Sequence, residues 1–196
     1  MAPDDFVASH LSAEMTGGRS EDSPWPDEIA VGEELAAALD LELLPLEGGL
    51  FRSTFVGGGA SAILFMLIGD DFSAMHRLQS DEIYFYHSGA PLRMLLIDPD
   101  GVAAEVIIGP DALGGQHPQF HVPAYWWQGS STDGPWSLVS TMVSPAFDWR
   151  DFVQADRDML LDLVSRHPAP GIDERIGELT RPEEVLESPD DADAVD

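Results

Sequence analysis

The side chains best equipped for chemistry are concentrated between Phe72 and Gly89, where His76, Glu82, Tyr84 and Tyr86 stand within a few residues of one another. Alternate side chains of an extended strand share a face, so Glu82, Tyr84 and Tyr86 fall together, as do His76 and Leu78, while Phe85 and His87 face the other way. An imidazole, a carboxylate and two phenols brought together can move protons. In that reading His76 is a general base oriented by Glu82, and Tyr84 or Tyr86 donates from the opposite side of the ligand. The same His76 and Glu82, with the amide of Gln128 as a weak third ligand and water completing the shell, could instead hold one divalent metal ion. Strand parity places Trp126 beside Gln128 as an apolar wall. Arg52 and Arg77 either clamp a substrate carboxylate or phosphate or pair with Glu47, Asp81 or Asp148. His121, seven residues before Gln128, is a reserve ligand. A purely structural alternative has His76 and Glu82 satisfying each other in a barrel end, with the tyrosines as core fillers.

Composition narrows the function classes. The 196 residues carry 36 acids against nine basic residues, a formal charge of -27. Nucleic acid and anionic membrane surfaces are poor partners for such a chain, because both require clustered Lys and Arg. The absence of Cys excludes disulfides, thiolate metal sites and thiol nucleophiles. No apolar run approaches the roughly 18 residues of a spanning helix. The first residues lack a basic and then apolar leader. A cytoplasmic protein acting on a small molecule is the expectation, with no organic cofactor implied.

The elements that must position these residues are mostly strands. Residues 1–27 read as a disordered arm, and an amphipathic helix follows from Asp27 as N-cap, with Ile29, Leu35, Ala36 and Leu39 near one face. Short runs rich in β-branched and aromatic residues then alternate with turn clusters: Leu50 to Val56, Ala62 to Ile68, Ala74 to Leu78, Glu82 to His87, Leu92 to Ile97, Val102 to Ile108, Gln119 to Val122 and Ser137 to Val143. Pro99-Asp100-Gly101 between two such runs is a hairpin signal. About eight strands predict an all-β barrel or sandwich. A helix is expected over Asp156 to Arg166 and a second over Ile172 to Leu186. The resulting division is a single domain over 28–166, a short helical extension over 167–187 and an acidic disordered tail over 188–196.

The run His76, Glu82, Gly89 has the spacing of the first cupin motif, with Leu78 in place of its second His. Pro123-Ala124-Tyr125-Trp126-Trp127-Gln128 resembles the end of the second motif, with Tyr125 for Gly and Gln128 for His. Four blocks in order resemble the cupin-like family formerly of unknown function: Glu47-Gly48-Gly49-Leu50-Phe51-Arg52, His76-Arg77-Leu78-Gln79-Ser80-Asp81-Glu82, Val122 to Gln128, and Pro145 to Phe152 with Phe147, Asp148 and Asp151 in it. The resemblance implies a double-stranded β-helix, the cupin jelly-roll barrel, with a short N-terminal helix and C-terminal helices, and a homodimer. Its implied activity is that of a small-molecule enzyme performing acid-base or metal-assisted isomerisation, epimerisation or elimination. The alternatives are a small-ligand-binding cupin without chemistry and a metal-dependent oxygenase.

Overall fold

The structure is a computed structural model and describes residues 25–181. Most of the N-terminal arm and all of the acidic tail expected from the sequence therefore lie outside the described residues. The described residues form eleven strands and three α-helices: α1 (Pro26–Ala38), β1 (Glu42–Leu43), β2 (Leu50–Gly57), β3 (Ala60–Ile68), β4 (Phe72–Arg77), β5 (Asp81–Gly89), β6 (Leu92–Ile97), β7 (Ala103–Ile108), β8 (Gln119–Val122), β9 (Trp127–Thr132), β10 (Trp136–Ser144), β11 (Val153–Gln154), α2 (Arg157–Val164) and α3 (Ile172–Glu178). They form two antiparallel sheets, ordered β1-β2-β3-β10-β5-β8 and β11-β4-β9-β6-β7. This is the all-β barrel expected.

Alternation along the strands builds the interior. Phe65 and Leu67 of β3, Tyr84 of β5, Leu92, Met94 and Leu96 of β6 and Val139 of β10 pack together between the sheets. The intervening residues are buried as well. Leu95 and Ile97 of β6 and Trp127 of β9 pack outward against Leu160 and Val164 of α2 and Ile172 and Ile176 of α3. A strand covered on both faces reads as an unbroken apolar run, which is why Leu92 to Ile97 shows no alternation. On the other sheet Ala36 of α1 meets Met66 and Leu138. Gly32 gives α1 its close approach, since a Cβ there would stand 2.8 Å from the Trp136 ring.

Several boundaries differ from the sequence expectation. Helix α1 starts at Pro26 with Trp25 at its cap, and Asp27 lies in the first turn rather than capping it. Asp156 does cap α2, accepting from Met159 N. Helix α3 stops at Glu178, short of Leu186, and its buried Ile172 and Ile176 make it part of the outer core rather than an extension. Strand β9 escaped the sequence reading altogether. Its stretch Gly129-Ser130-Ser131-Thr132 has the composition of a turn, yet Ser130 is buried in the barrel wall. The Pro99-Asp100-Gly101 hairpin joins β6 to β7, and Gly101 takes φ +93°.

Candidate functional site

His76, Glu82 and Gln128 come from three strands in two sheets. His76 on β4 and Gln128 on β9 are direct cross-strand partners, and Glu82 lies on β5 of the opposite sheet. All three are buried, at 2%, 6% and 1% exposure. A register shift in β4 between Ser73 and His76 changes the side that the chain presents. Phe72 and Met75 consequently pack in the outer layer, whereas Ser73 and His76 reach the polar cluster.

The hydrogen bonds fix the state of the imidazole. His76 Nδ1 donates to the Ala74 carbonyl at 2.8 Å, which leaves Nε2 as the acceptor. Gln128 Nε2 faces that nitrogen at 3.3 Å and donates to Glu82 Oε2 at 2.6 Å. Phe152 stacks on the His76 ring, with centroids 5.1 Å apart at 18°. The ring is thus oriented by Ala74 and Phe152, and Glu82 reaches it through Gln128 rather than by the direct bond expected.

Glu47 completes the cluster, and the sequence reading considered it only as an arginine partner. Its Oε2 lies 3.9 Å from His76 Nε2, and its Oε1 accepts from Ser73 Oγ at 2.7 Å. Ala74 N donates to its carbonyl. Gly48 and Gly49 follow at φ +93° and +76°, and a Cβ on Gly49 would stand 2.7 Å from the Phe65 ring. The only signal was its place at the head of the first family block.

Burial and charge shape the acids. Burial pushes the Glu82 carboxyl up, and the nearby Glu47 carboxylate adds to the rise, against the pull of His76 and the hydrogen bonds from Gln128 and Thr141. The Tyr84 phenol is held well above its ordinary value by burial and by the charges of Glu82 and Glu47, so it keeps its proton. Tyr84 is buried in the interior as parity required. Tyr86 packs at the edge of the same core and donates its hydroxyl to the Gly89 carbonyl at 2.6 Å.

The two arginines are not brought to the cluster. Arg52 is 41% exposed and pairs with Asp40 at 3.6 Å. Arg77 lies over the outward-facing Trp127, 4.6 Å from its centroid. Their expected role as substrate clamps is corrected: alternation turns both away from the interior face that carries Phe51 and His76. Asp148 pairs with Arg150, which holds its carboxyl down to about 2. His121 pairs with Asp81 at 2.9 Å, both exposed, outside the cluster. Trp126 packs against the interior, as expected. A surface hollow of about 230 Å³, lined by Asp70, Asp71, Phe72, Ser131 and Arg175 among others, shares no residue with the cluster.

The expected metal set of His76, Glu82 and Gln128 does not fit a metal ion. Ligands must turn lone pairs toward one point, whereas Gln128 turns an N–H group toward both His76 Nε2 and Glu82 Oε2. Leu78, at the second His position of the motif, is buried and apolar. Among the described residues no group of three or more His, Asp or Glu is placed to hold a metal. No step is derived through one.

Comparison with known proteins agrees with this architecture. Residues 33–155 match the family described as Cupin superfamily (DUF985). A crystal structure of a protein from Shewanella oneidensis is similar at 32% identity and TM-score 0.70, covering 77% of this chain and 98% of that one. A hypothetical protein from Leishmania major follows at 28% identity and TM-score 0.68, covering 76% and 98%. A cupin-2 domain protein from Rhodospirillum rubrum, at 12% identity and TM-score 0.53 over 72% and 91%, shares the fold. No curated protein matches the chain. With its double-sheet barrel, its motif residues and this match over most of the described barrel, the chain belongs to the Cupin_5 family of the cupin superfamily.

Proposed function

We propose that the barrel is the active site of an enzyme that isomerises, epimerises or dehydrates a small polar molecule by acid-base chemistry. The observation carrying this reading is the orientation of the buried His76 ring, whose Nε2 faces Gln128 and the half-buried Glu47 while its Nδ1–H is anchored on Ala74. In the first step Nε2 removes a proton from a carbon beside a substrate carbonyl. The C–H electron pair moves to form the enol carbon-carbon bond, and the carbonyl oxygen takes up the displaced pair. One group stays protonated to meet that charge, the Tyr84 phenol, which burial and the neighbouring acids hold well above its ordinary value. Proton donation to the same carbon from the opposite side by the Tyr84 phenol gives epimerisation, transfer of the proton from Nε2 to the neighbouring carbon gives isomerisation, and departure of a neighbouring hydroxyl as water, with the proton taken from Nε2, gives elimination. Phe152 stacks on the imidazole, and its edge-to-face neighbour Trp149 extends the pair into an aromatic strap.

All three outcomes begin by breaking a C–H bond, so one assay covers them. Small hydroxyaldehydes, hydroxyketones and sugars are incubated with the protein in D₂O and followed by NMR. Deuterium entering carbon with wild type but not with His76→Ala supports the reading. Exchange with neither, or equal exchange with both, overturns it.

A further inference from the structure

The polar groups of the barrel are unevenly matched. Gln128 Oε1 and Ser130 Oγ are both buried without a hydrogen-bond partner, two positions apart on the same face of β9. Ser130 stands opposite Ser73, whose hydroxyl is spent on Glu47 Oε1. Glu47 and Glu82 bring two carboxylates, and His76 turns Nε2 toward them while Nδ1 donates to Ala74.

Among the described residues no arginine pairs with Glu47 or Glu82: Arg52, Arg93, Arg150, Arg175 and Arg181 pair with Asp40, Asp133, Asp148, Glu105 and Asp71, Arg77 lies over Trp127, Arg157 lies beside Gly177 of α3, and Arg166 is exposed. None of these partners belongs to the cluster. An anionic ligand entering here would meet two carboxylates in a low-dielectric interior with no compensating charge. A ligand bearing an ammonium group and hydroxyls would supply the missing donors and the missing charge. The aromatic rings at the mouth, Trp126, Trp149 and Phe152, are surfaces against which a cation is also favourable.

We infer that the barrel takes a small protonated amine carrying hydroxyl groups, an amino alcohol or amino sugar, rather than a carboxylate or phosphate. Glu47 and Glu82 receive its ammonium group, and Gln128 Oε1 with Ser130 Oγ receives its remaining donors. This substrate class rests on the barrel being the active site, as proposed above, and reverses the arginine-clamp expectation. An ammonium group differs from a metal ion in the way that matters here, because it donates directed hydrogen bonds to separated acceptors and needs no common ligand point.

The test is calorimetry on the full chain, in EDTA and moderate salt, with probes of matched skeleton: ethanolamine, ethylene glycol and glycolate, then D-glucosamine, D-glucose and D-gluconate. The amine of at least one set is expected to bind about tenfold or more tightly than its neutral partner, with no binding of the acid. Glu47→Gln and Glu82→Gln should each lower amine affinity about tenfold. The exposed Asp158→Asn on the outer face of α2 should change nothing, which separates a site from general attraction to a very acidic protein. Ser130→Ala removes a group with no structural partner and should weaken the amine without unfolding the chain, so it decides the matter if a glutamate variant fails to fold. Binding of an acid as tight as its amine, no binding of either amine, or amine binding unaffected by Ser130→Ala and the glutamate variants overturns the inference. Amine binding without deuterium exchange would overturn the proposed catalysis alone, and exchange confined to neutral or anionic probes would overturn the amine class alone.

Discussion

Gln128 on one sheet donates to Glu82 on the other across 2.6 Å, so a single buried amide joins the two halves of the barrel at the site. Removing one partner of such a bond leaves the other desolvated and unpaired. Gln128→Leu should therefore destabilise the protein by about 1–3 kcal/mol in chemical denaturation. Glu82→Gln keeps an acceptor for the amide and should cost much less.

The position of that amide also explains the poor fit to a metal. Replacing the donor with a ligand should reverse this. Leu78→His with Gln128→His restores both imidazoles of the cupin motifs beside His76 and Glu82. The double variant is expected to retain close to one equivalent of a divalent transition metal after gel filtration, and the wild type far less. Equal retention by both would show that Gln128 does not govern metal binding.

Glu82 gives the stability of the protein a pH dependence of known sign. A carboxyl whose folded pKa lies above its unfolded value binds its proton more tightly in the native state, so ∂ΔG/∂pH from this group is negative. Its contribution is full below the unfolded value near 4.5 and is lost as pH rises through the folded value. Glu82→Gln removes this loss. The variant should gain melting temperature relative to wild type at about pH 8, and gain less or none at about pH 4. A gain independent of pH would contradict the burial account.

Two motif positions make opposite predictions for the backbone. Gly89, the glycine of the first motif, has φ +89°, and a Cβ there would stand 2.4 Å from the Trp136 carbonyl oxygen. Gly89→Ala is expected to cost about 2 kcal/mol or more. Tyr125 occupies the glycine position of the second motif at φ +68° and is 52% exposed. Tyr125→Gly should relieve the strained conformation and leave stability unchanged or raised by up to about 1 kcal/mol. Thermal melts of the two variants check both signs.

Phe152 tests the strap. Phe152→Ala removes the ring stacked on His76 and should lower stability by about 1–3 kcal/mol while exposing the imidazole. Ethoxycarbonylation of His76 by diethyl pyrocarbonate, read by mass spectrometry, should be slow in wild type and faster in the variant.

The barrel was legible because strand alternation and turn chemistry are local. The hairpin at Pro99-Asp100-Gly101 and the inward set of Glu82 and Tyr84 follow from one residue's relation to the next. What remained hidden depends on distant chain. Strand β9 is polar because its inner face lines the cluster, so Gly129 to Thr132 reads as a turn. The β4 register shift moves Ser73 to the inside, and no run of residues announces it. Glu47 reaches His76 across 29 positions of sequence through the Ser73 and Ala74 bonds, which only the folded chain reveals.

The proton inventory of His76 carries the whole account, and ¹⁵N NMR of the imidazole in uniformly labelled full-length protein measures it directly, with His76→Gln to assign the signals. At neutral pH the account predicts a neutral ring with Nδ1 protonated and Nε2 bare. An imidazolium, or a neutral ring with the proton on Nε2, would contradict both the base assigned to His76 and the lone-pair excess that calls for an amine.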